Sequence, residues 1–362
     1  MPTVITQIAG RKVAAEKIPS WWEIEKIWYP KHLSLEQCSS EITARYKARL
    51  LQGDSLTDLT GGFGIDCSFL ATGFKSATYV ERQEELCEIA AHNFPVLNLN
   101  HINIKNEDGV TYLQAMSPVD CLFLDPARRN EHGGKNGCHL RLRTKRAELE
   151  ELLLQKANRV MIKLSPMLDL SLALKELKQT QEVHILSVNN ECKELLILLG
   201  QTSPAEISIH CVNLFTKGTQ KEQHFVFTRE QEQCSECTYT DSLETYLYEP
   251  NASLLKAGAF RSIAAAYPVR KLHPNSHLYT SDTFIENFPG RIFRIVNQCS
   301  FNKKEVKENL ADLKKANVTV RNFPATVAEL RKRIHLAEGG DTYLFASTLN
   351  NGQKVLIRCE KV

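Results

Sequence analysis

The chain has 362 residues, 43% of them hydrophobic and 24% charged, with 45 Lys and Arg against 42 Asp and Glu. That balance excludes the disordered and fibrous classes. The length exceeds the roughly 100 to 200 residues typical of one domain and predicts two domains with a smaller appendage. No run approaches the ~18 apolar residues needed to cross a bilayer. The start, Met1 to Lys12, lacks the charged head and apolar stretch of a secretory leader, so a cytoplasmic protein without membrane partners is expected. Eleven cysteines without repeated spacing fit reduced thiols. Cys234 and Cys237 form a lone CxxC with neither a second pair nor nearby histidines, and no metal is expected.

In chain order, residues 1–50 mix Trp21, Trp22, Trp28 and Tyr29 with helix-favouring stretches such as Glu36 to Leu51, and predict a helical segment. From 51 to 230, short apolar strands alternate with helical segments. The strands are expected at Leu56–Leu59, Ala77–Val80, Ile102–Ile104, Cys121–Leu124, Arg159–Leu164 and Val183–Val188, with helices such as Glu84–Phe94 and Lys145–Ala157 between them. This alternation predicts a doubly wound α/β domain on a largely parallel sheet. The acid-rich stretch Glu230 to Glu249 marks the boundary of a connecting region over 231–290. Residues 291–362 predict a smaller two-layer α/β domain. Its strands are expected at Ile292–Val296, Val318–Phe323, Thr342–Ser347 and Val355–Cys359, with one helix over Lys303–Ala316. A second helix opens on a Thr326/Glu329 capping box, and Asn350, Asn351 and Gly352 form a hairpin turn.

The sharpest motif follows the first strand: Asp58, Thr60, Gly61, Gly62, Gly64 and Asp66, running into a helix. Such glycines let the chain turn tightly and let a nucleotide lie against bare backbone at a helix N-terminus. Glu81 ends the second strand about 20 residues on, where a carboxylate accepts hydrogen bonds from both ribose hydroxyls, and Arg82 follows it. Dinucleotides and S-adenosylmethionine both use that arrangement. Three features favour the methyl donor. The glycines miss the GxGxxG register; Asp58 would repel a pyrophosphate but suits an ammonium; and Asn106, Glu107 and Asp108 place carboxylates where an adenine amino group would donate, although a surface turn explains them equally well. The fourth strand ends at Asp125, Pro126, Ala127, Arg128 and Arg129, with an acid and a free carbonyl beside the donor's methyl group. Asp125, Pro126 and Arg128 are the candidate catalytic residues.

The combination of Asp58 to Asp66, Glu81, Asn106 to Asp108 and Asp125 to Arg129 resembles class I S-adenosylmethionine-dependent methyltransferases. With Lys163-Leu-Ser-Pro166 it resembles the bacterial subfamily that carries a THUMP-like C-terminal domain, over roughly residues 37 to 362. The resemblance implies a seven-stranded methyltransferase sheet, donor contacts at Asp58, Gly61, Glu81 and Asp108, a reaction centre at Asp125 and a THUMP-like domain that helps hold structured RNA. Where exocyclic-amine methylases show Pro-Pro and a stacking aromatic, this chain has Ala127 and Arg128. No cysteine is placed for covalent attack on a pyrimidine, since Cys121 lies inside the strand.

Seven Lys or Arg between Arg128 and Arg146, against the single acid Glu131, read as a phosphate-gripping loop beside the reaction centre. In the last domain Lys303, Lys304, Lys307, Lys314, Lys315, Arg321, Arg331, Lys332 and Arg333 outnumber neighbouring acids. The expected function is methylation of a nucleotide in tRNA or rRNA. The alternatives are an RNA-binding or assembly protein with a vestigial methyltransferase core, and an NAD-dependent oxidoreductase. Nothing in the sequence sets an oligomeric state.

Overall fold

The computed structural model describes residues 3–126 and 146–362. The chain divides into two compact units, Met1–His210 with Leu214–Lys221, and Cys211–Asn213 with Glu222–Val362. Among the described residues no helix is long and apolar enough to cross a membrane.

The first unit opens with α1 (Val4–Lys17), α2 (Pro19–Trp22), α3 (His32–Gln37) and α4 (Glu41–Ala48). The single helix expected from Glu36 to Leu51 is broken at Cys38–Ser40, where Ser40 takes the extended N-cap conformation of α4. These helices bury Trp21, Tyr29, Leu35 and Ala44 against Phe63, Ile65 and Phe69, with the Trp21 and Phe63 rings edge to face at 5.2 Å. The helical segment therefore packs onto the glycine loop and the helix behind it.

The α/β part runs β1 (Ser55–Asp58), α5 (Ile65–Ala71), β2 (Ser76–Glu81), α6 (Glu84–Val96), β3 (Ile102–Asn106), α7 (Gly109–Ala115) and β4 (Val119–Leu124). It continues through α8 (Arg146–Lys156), β5 (Ala157–Leu164), α9 (Leu170–Glu176), β6 (Thr180–Val188), β7 (Glu191–Gly200) and β8 (Ser208–Leu214). β1 pairs in parallel with β2 and β4, β2 with β3, and β4 with β5. β7 is antiparallel to both β5 and β6 and lies between them. Its hairpin with β6 turns on Asn189 and Asn190, both at positive φ, 49° and 67°, the pair of left-handed residues that a tight right-twisted hairpin requires. Burial from Glu194 to Gly200 explains the continuous apolar run of β7, a strand covered on both faces.

The sheet order is β3-β2-β1-β4-β5-β7-β6-β8-β9, with β9 at Glu222–Thr228. The first seven include the six strands expected from the sequence, with β7 added between β5 and β6. The count of seven is corrected to nine among the described residues, because β8 and β9 extend the sheet past β6 and leave β6 no open edge.

The second unit contains α10 (Arg229–Cys234), β10 (Tyr246–Pro250), α11 (Ala252–Ala257), α12 (Arg261–Ala266), β11 (Arg270–Lys271) and β12 (Tyr279–Ser281). Then come β13 (Gly290–Ser300), α13 (Lys303–Leu310), β14 (Asn317–Val320), α14 (Val327–Ile334), β15 (Thr342–Thr348) and β16 (Lys354–Lys361). Its sheet has the order β11-β12-β10-β13-β16-β15-β14. The capping box at Thr326 and Glu329 opens α14 as expected, and β15 and β16 pair antiparallel across the Asn350–Gly352 turn. α13 is shorter than expected. The chain leaves the helix after Leu310 so that the Ala316 amide reaches the Ala337 carbonyl at 3.1 Å.

A Cβ at Gly109 would lie 2.2 Å from the Leu59 carbonyl oxygen, a backbone atom that cannot swing away, whereas at Gly73 the nearest atom is 3.8 Å off. Gly109→Ala is expected to lower stability by about 1–3 kcal/mol in urea denaturation, with Gly73→Ala close to neutral in the same assay.

Candidate active site

The site forms at the carboxyl ends of β1, β2 and β4. After Asp58 the Leu59 amide still bonds the Phe123 carbonyl at 2.9 Å, and the chain then turns away from the sheet. Gly61 crosses so close to β2 that a Cβ there would sit 2.2 Å from the Tyr79 ring. Gly64, at φ 86°, starts α5 in the left-handed conformation that glycine tolerates. The loop and strand ends enclose a cavity of about 220 Å³, lined among others by Asp58, Gly62, Glu81, Asp125 and Lys163.

Glu81 is buried, and its carboxylate accepts the Gly62 amide at 2.9 Å through Oε2 and the Gln83 amide at 2.8 Å through Oε1. Each oxygen keeps a second lone pair, so both can still accept a hydroxyl. Asp58 Oδ1 accepts from the Thr60 amide at 2.9 Å and the Thr60 hydroxyl at 3.3 Å. Asp58 Oδ2 is buried and has no hydrogen-bond partner among the described residues. Burial pushes the Asp58 carboxyl up to about 8, and the nearby Asp66 and Asp125 charges add to that rise. A buried carboxylate oxygen without a donor is costly unless a ligand supplies one.

Asp125 is placed by its own amide, which donates to Thr60 Oγ1 at 2.7 Å, and by Lys163, whose Nζ lies 2.5 Å from Asp125 Oδ2. Behind this pair sits a chain of buried charges. Lys163 Nζ is 3.3 Å from Asp66 Oδ2 and 3.0 Å from Ser39 Oγ. Lys47 Nζ lies 2.9 Å from Asp66 Oδ1, 2.8 Å from Ser39 Oγ and 2.6 Å from Glu194 Oε2. Burial raises the Asp66 carboxyl, but Lys47 and Lys163 outweigh it and hold Asp66 well below the ordinary range. Burial likewise lowers the Lys163 ammonium, and Asp66, Asp125 and Glu194 more than reverse it. For Asp125, burial raises the carboxyl and Lys163 only partly opposes the rise. Among the described residues of this network three carboxylates face two ammonium groups, which leaves one acid more than the lysines pair.

The structure thus brings Asp58, Thr60, Gly61, Gly62, Gly64, Asp66, Glu81, Arg82, Glu107, Asp125 and Pro126 to one cavity wall. Asp66 lines it with both oxygens engaged by lysines. Asp108 caps α7, its Oδ1 accepting the Val110 amide at 3.0 Å and the Thr111 amide at 3.2 Å, while its neighbours Glu107 and Gly109 face the cavity. Arg128 and most of the basic run to Arg146 lie outside the described residues. Sequence reasoning gave no role to Ser39, Lys47, Lys163 or Glu194. The only signal was Lys163 within its Lys-Leu-Ser-Pro run, since Ser39 and Lys47 come from the helical segment and Glu194 from β7, a strand with a continuous apolar run.

Among the described residues, Glu182, His184 and His210 form a group with metal-ligand chemistry. Arg159 lies 3.0 Å from Glu182, and the imidazoles of His184 and His210 stack with planes 17° apart. With the Tyr46 hydroxyl 2.8 Å from His184 Nδ1, the group is a polar seam tying α4 to β6.

A sheet of order β3-β2-β1-β4-β5-β7-β6 with β7 antiparallel, closed at its carboxyl edge by Asp58, Glu81 and Asp125, defines the class I methyltransferase architecture. Family models match a ferredoxin-like domain over 246–289 and a THUMP domain-like region over 290–361. The crystal structure of a putative methyltransferase from Porphyromonas gingivalis W83 is 35% identical, with a TM-score of 0.87 over 99% of this chain and 89% of that one. An rRNA methylase from Streptococcus thermophilus is 16% identical, with a TM-score of 0.32 over 44% of this chain and 93% of that one. A putative methyltransferase from Streptococcus mutans in complex with SAH is 16% identical, with a TM-score of 0.33 over 44% and 96%. No match was found among curated proteins. The identity to the Porphyromonas protein extends over nearly all of both chains, and the protein belongs to its family, the class I S-adenosylmethionine-dependent methyltransferases with a THUMP-like C-terminal domain.

Lys47 is fully buried and is the cation shared by Asp66 and Glu194. Lys47→Met leaves both acids short of a partner and is expected to cost about 3–5 kcal/mol, measured by chemical denaturation at neutral pH.

Proposed function

We propose that the protein binds S-adenosylmethionine at the carboxyl ends of β1, β2 and β4 and methylates a nucleotide of structured RNA. The observation that carries this reading is Asp58 Oδ2, a buried acceptor without a donor among the described residues, in a cavity whose described lining has more carboxylates than cations. Such a cavity favours a ligand bearing an ammonium and a sulfonium and disfavours a pyrophosphate. Glu81, with a lone pair free on each oxygen, suits the two ribose hydroxyls; Arg82 and Glu107 extend the same wall; and bare backbone at Gly61, Gly62 and Gly64 admits close approach. We assign donor contacts to these residues, with the adenine end toward Glu107 and the capping Asp108.

Bound there, S-adenosylmethionine supplies a methyl group already activated for in-line displacement. Positioning then provides most of the rate. On this reading Asp125 and the Pro126 carbonyl accept hydrogen bonds from an acceptor amino group, and Arg128 holds a neighbouring phosphate or stacks on a base.

An RNA acceptor is supported by the THUMP-like match over 290–361 and by the charge of that region. Lys303, Lys304, Lys307, Lys314, Lys315, Lys332 and Arg333 are exposed there. Arg321 is not available in the same way, because it pairs with the buried Glu249 at 3.0 Å. The exposed set is a surface that would release counterions on meeting a phosphate backbone.

Because Asp58 holds a proton below about pH 8 and must lose it to meet an ammonium, S-adenosylhomocysteine binding is expected to release protons near pH 7. Calorimetry in two buffers of different ionisation enthalpy measures that release. Asp58→Asn should abolish it and weaken binding about tenfold to a hundredfold. A wild-type protein that does not bind either nucleoside removes this reading. Incubation with radiolabelled donor and total RNA from a strain lacking the gene should label RNA; label found in protein instead would transfer the proposal to another acceptor.

A further inference from the structure

Lys163 stands where the fold has little reason to keep a lysine. It lies on β5, a strand buried along most of its length, and the β4–β5 register pairs Leu124 with Ile162, so the next step sets residue 163 beside Asp125. Lys47 alone already serves Asp66 and Glu194. Burying a second ammonium carries a desolvation penalty of several kcal/mol, and apolar replacements of buried ion pairs are often neutral or stabilising. A role confined to stability therefore explains Lys163 poorly.

Its geometry explains it better. The ammonium is anchored from behind by Asp66 Oδ2 and Ser39 Oγ, and its remaining contact is Asp125 Oδ2 at 2.5 Å. From the other side, Thr60 Oγ1 accepts the Asp125 amide and so sets the backbone of the same residue. Asp125 remains 37% exposed at its side chain, on the cavity side, whereas Lys163 is 11% exposed. One oxygen of Asp125 is held and the other is left for whatever enters.

We propose that Lys163 is a positioning residue: through Oδ2 it fixes the orientation of the Asp125 carboxylate and leaves Oδ1 to accept a hydrogen bond from the acceptor. This rests on the methyl-transfer reading above. It adds that the break between α3 and α4, which delivers Ser39, is part of the reaction centre. The charged groups facing Asp125 are Lys163 from β5, Asp66 from α5, Lys47 from α4 and Asp58 from β1. Burial raises its carboxyl, Lys163 and Lys47 lower it and Asp66 adds to the rise, and Lys163 is the one in contact. Removing Lys163 therefore moves Asp125 further up and protonates it at higher pH.

The test uses full-length protein with ¹³C-labelled aspartate carboxyls, wild type against Lys163→Met and Ser39→Ala. Lys163→Met should raise the Asp125 midpoint by about one pH unit or more, and Ser39→Ala should raise it by less. S-adenosylhomocysteine binding, measured in parallel, should persist, since Lys163 lines the cavity while its partners among the described residues are Asp66, Ser39 and Asp125, not Asp58 or Glu81. Single-turnover methyl transfer to the RNA used above should fall about tenfold to a hundredfold, with its acid limb displaced upward by the same interval as the midpoint. In an Asp125→Asn background the Lys163→Met effect should vanish. An unmoved Asp125 midpoint, or a Lys163→Met loss as large in the Asp125→Asn background as in the wild type, overturns the proposal. If Lys163→Met does not fold, the Ser39→Ala midpoint decides alone. If wild type does not bind the nucleoside, the functional reading fails while the Asp125 midpoint still reports on Lys163.

Discussion

Two lysine ammonium groups buried among three carboxylates hold the working edge of the first unit together. Lys47 and Lys163 meet at Asp66, share the hydroxyl of Ser39, and reach outward to Glu194 and Asp125. In a poorly solvated interior such a set is stable only when nearly every oxygen and proton has a partner. That requirement ties five segments to one geometry: the helical segment, the first helix of the α/β part, the end of β4, and strands β5 and β7. Among the described residues the network holds one carboxylate more than it has lysines.

The sheet supplies the rest by topology. Parallel strands end together, so acids placed last on β1, β2 and just past β4 converge without any long-range search in sequence. Asp58, Glu81 and Asp125 then differ in what their neighbours do to them. Glu81 is held by two backbone amides, Asp58 is left with one orphaned oxygen, and Asp125 is gripped by a lysine. One architecture thus gives three carboxylates three electrostatic settings.

Legibility was uneven, for physical reasons. The glycine loop and its following acid were readable because close approach and left-handed φ leave few choices of residue, and the Thr326 capping box was readable because caps are local. The break at Cys38–Ser40 was missed although Ser40 is a residue that favours a helix start and caps α4, and what only the folded structure shows is that the break sets Ser39 against both lysines. Glu194 was hidden in an apolar run whose burial says nothing of a single acid's partner. Arg321 looked like any basic surface residue until Glu249 was found beside it. Among the described residues the first sheet has nine strands, because whether a sheet stops or gains another strand depends on edges meeting in space.

The sequence by itself determined the alternation of strands and helices, the order in which acids end them, and the two-layer pattern of the last region, because periodicity, turn chemistry and capping act over a few residues. Tertiary structure alone decided that β7 inserts between β5 and β6, that Ser39 and Lys47 from the helical segment reach Lys163, and that Asp58 keeps an oxygen without a donor. Those outcomes depend on which buried charges find one another, and electrostatics at that range is set by folded distance, not by spacing along the chain.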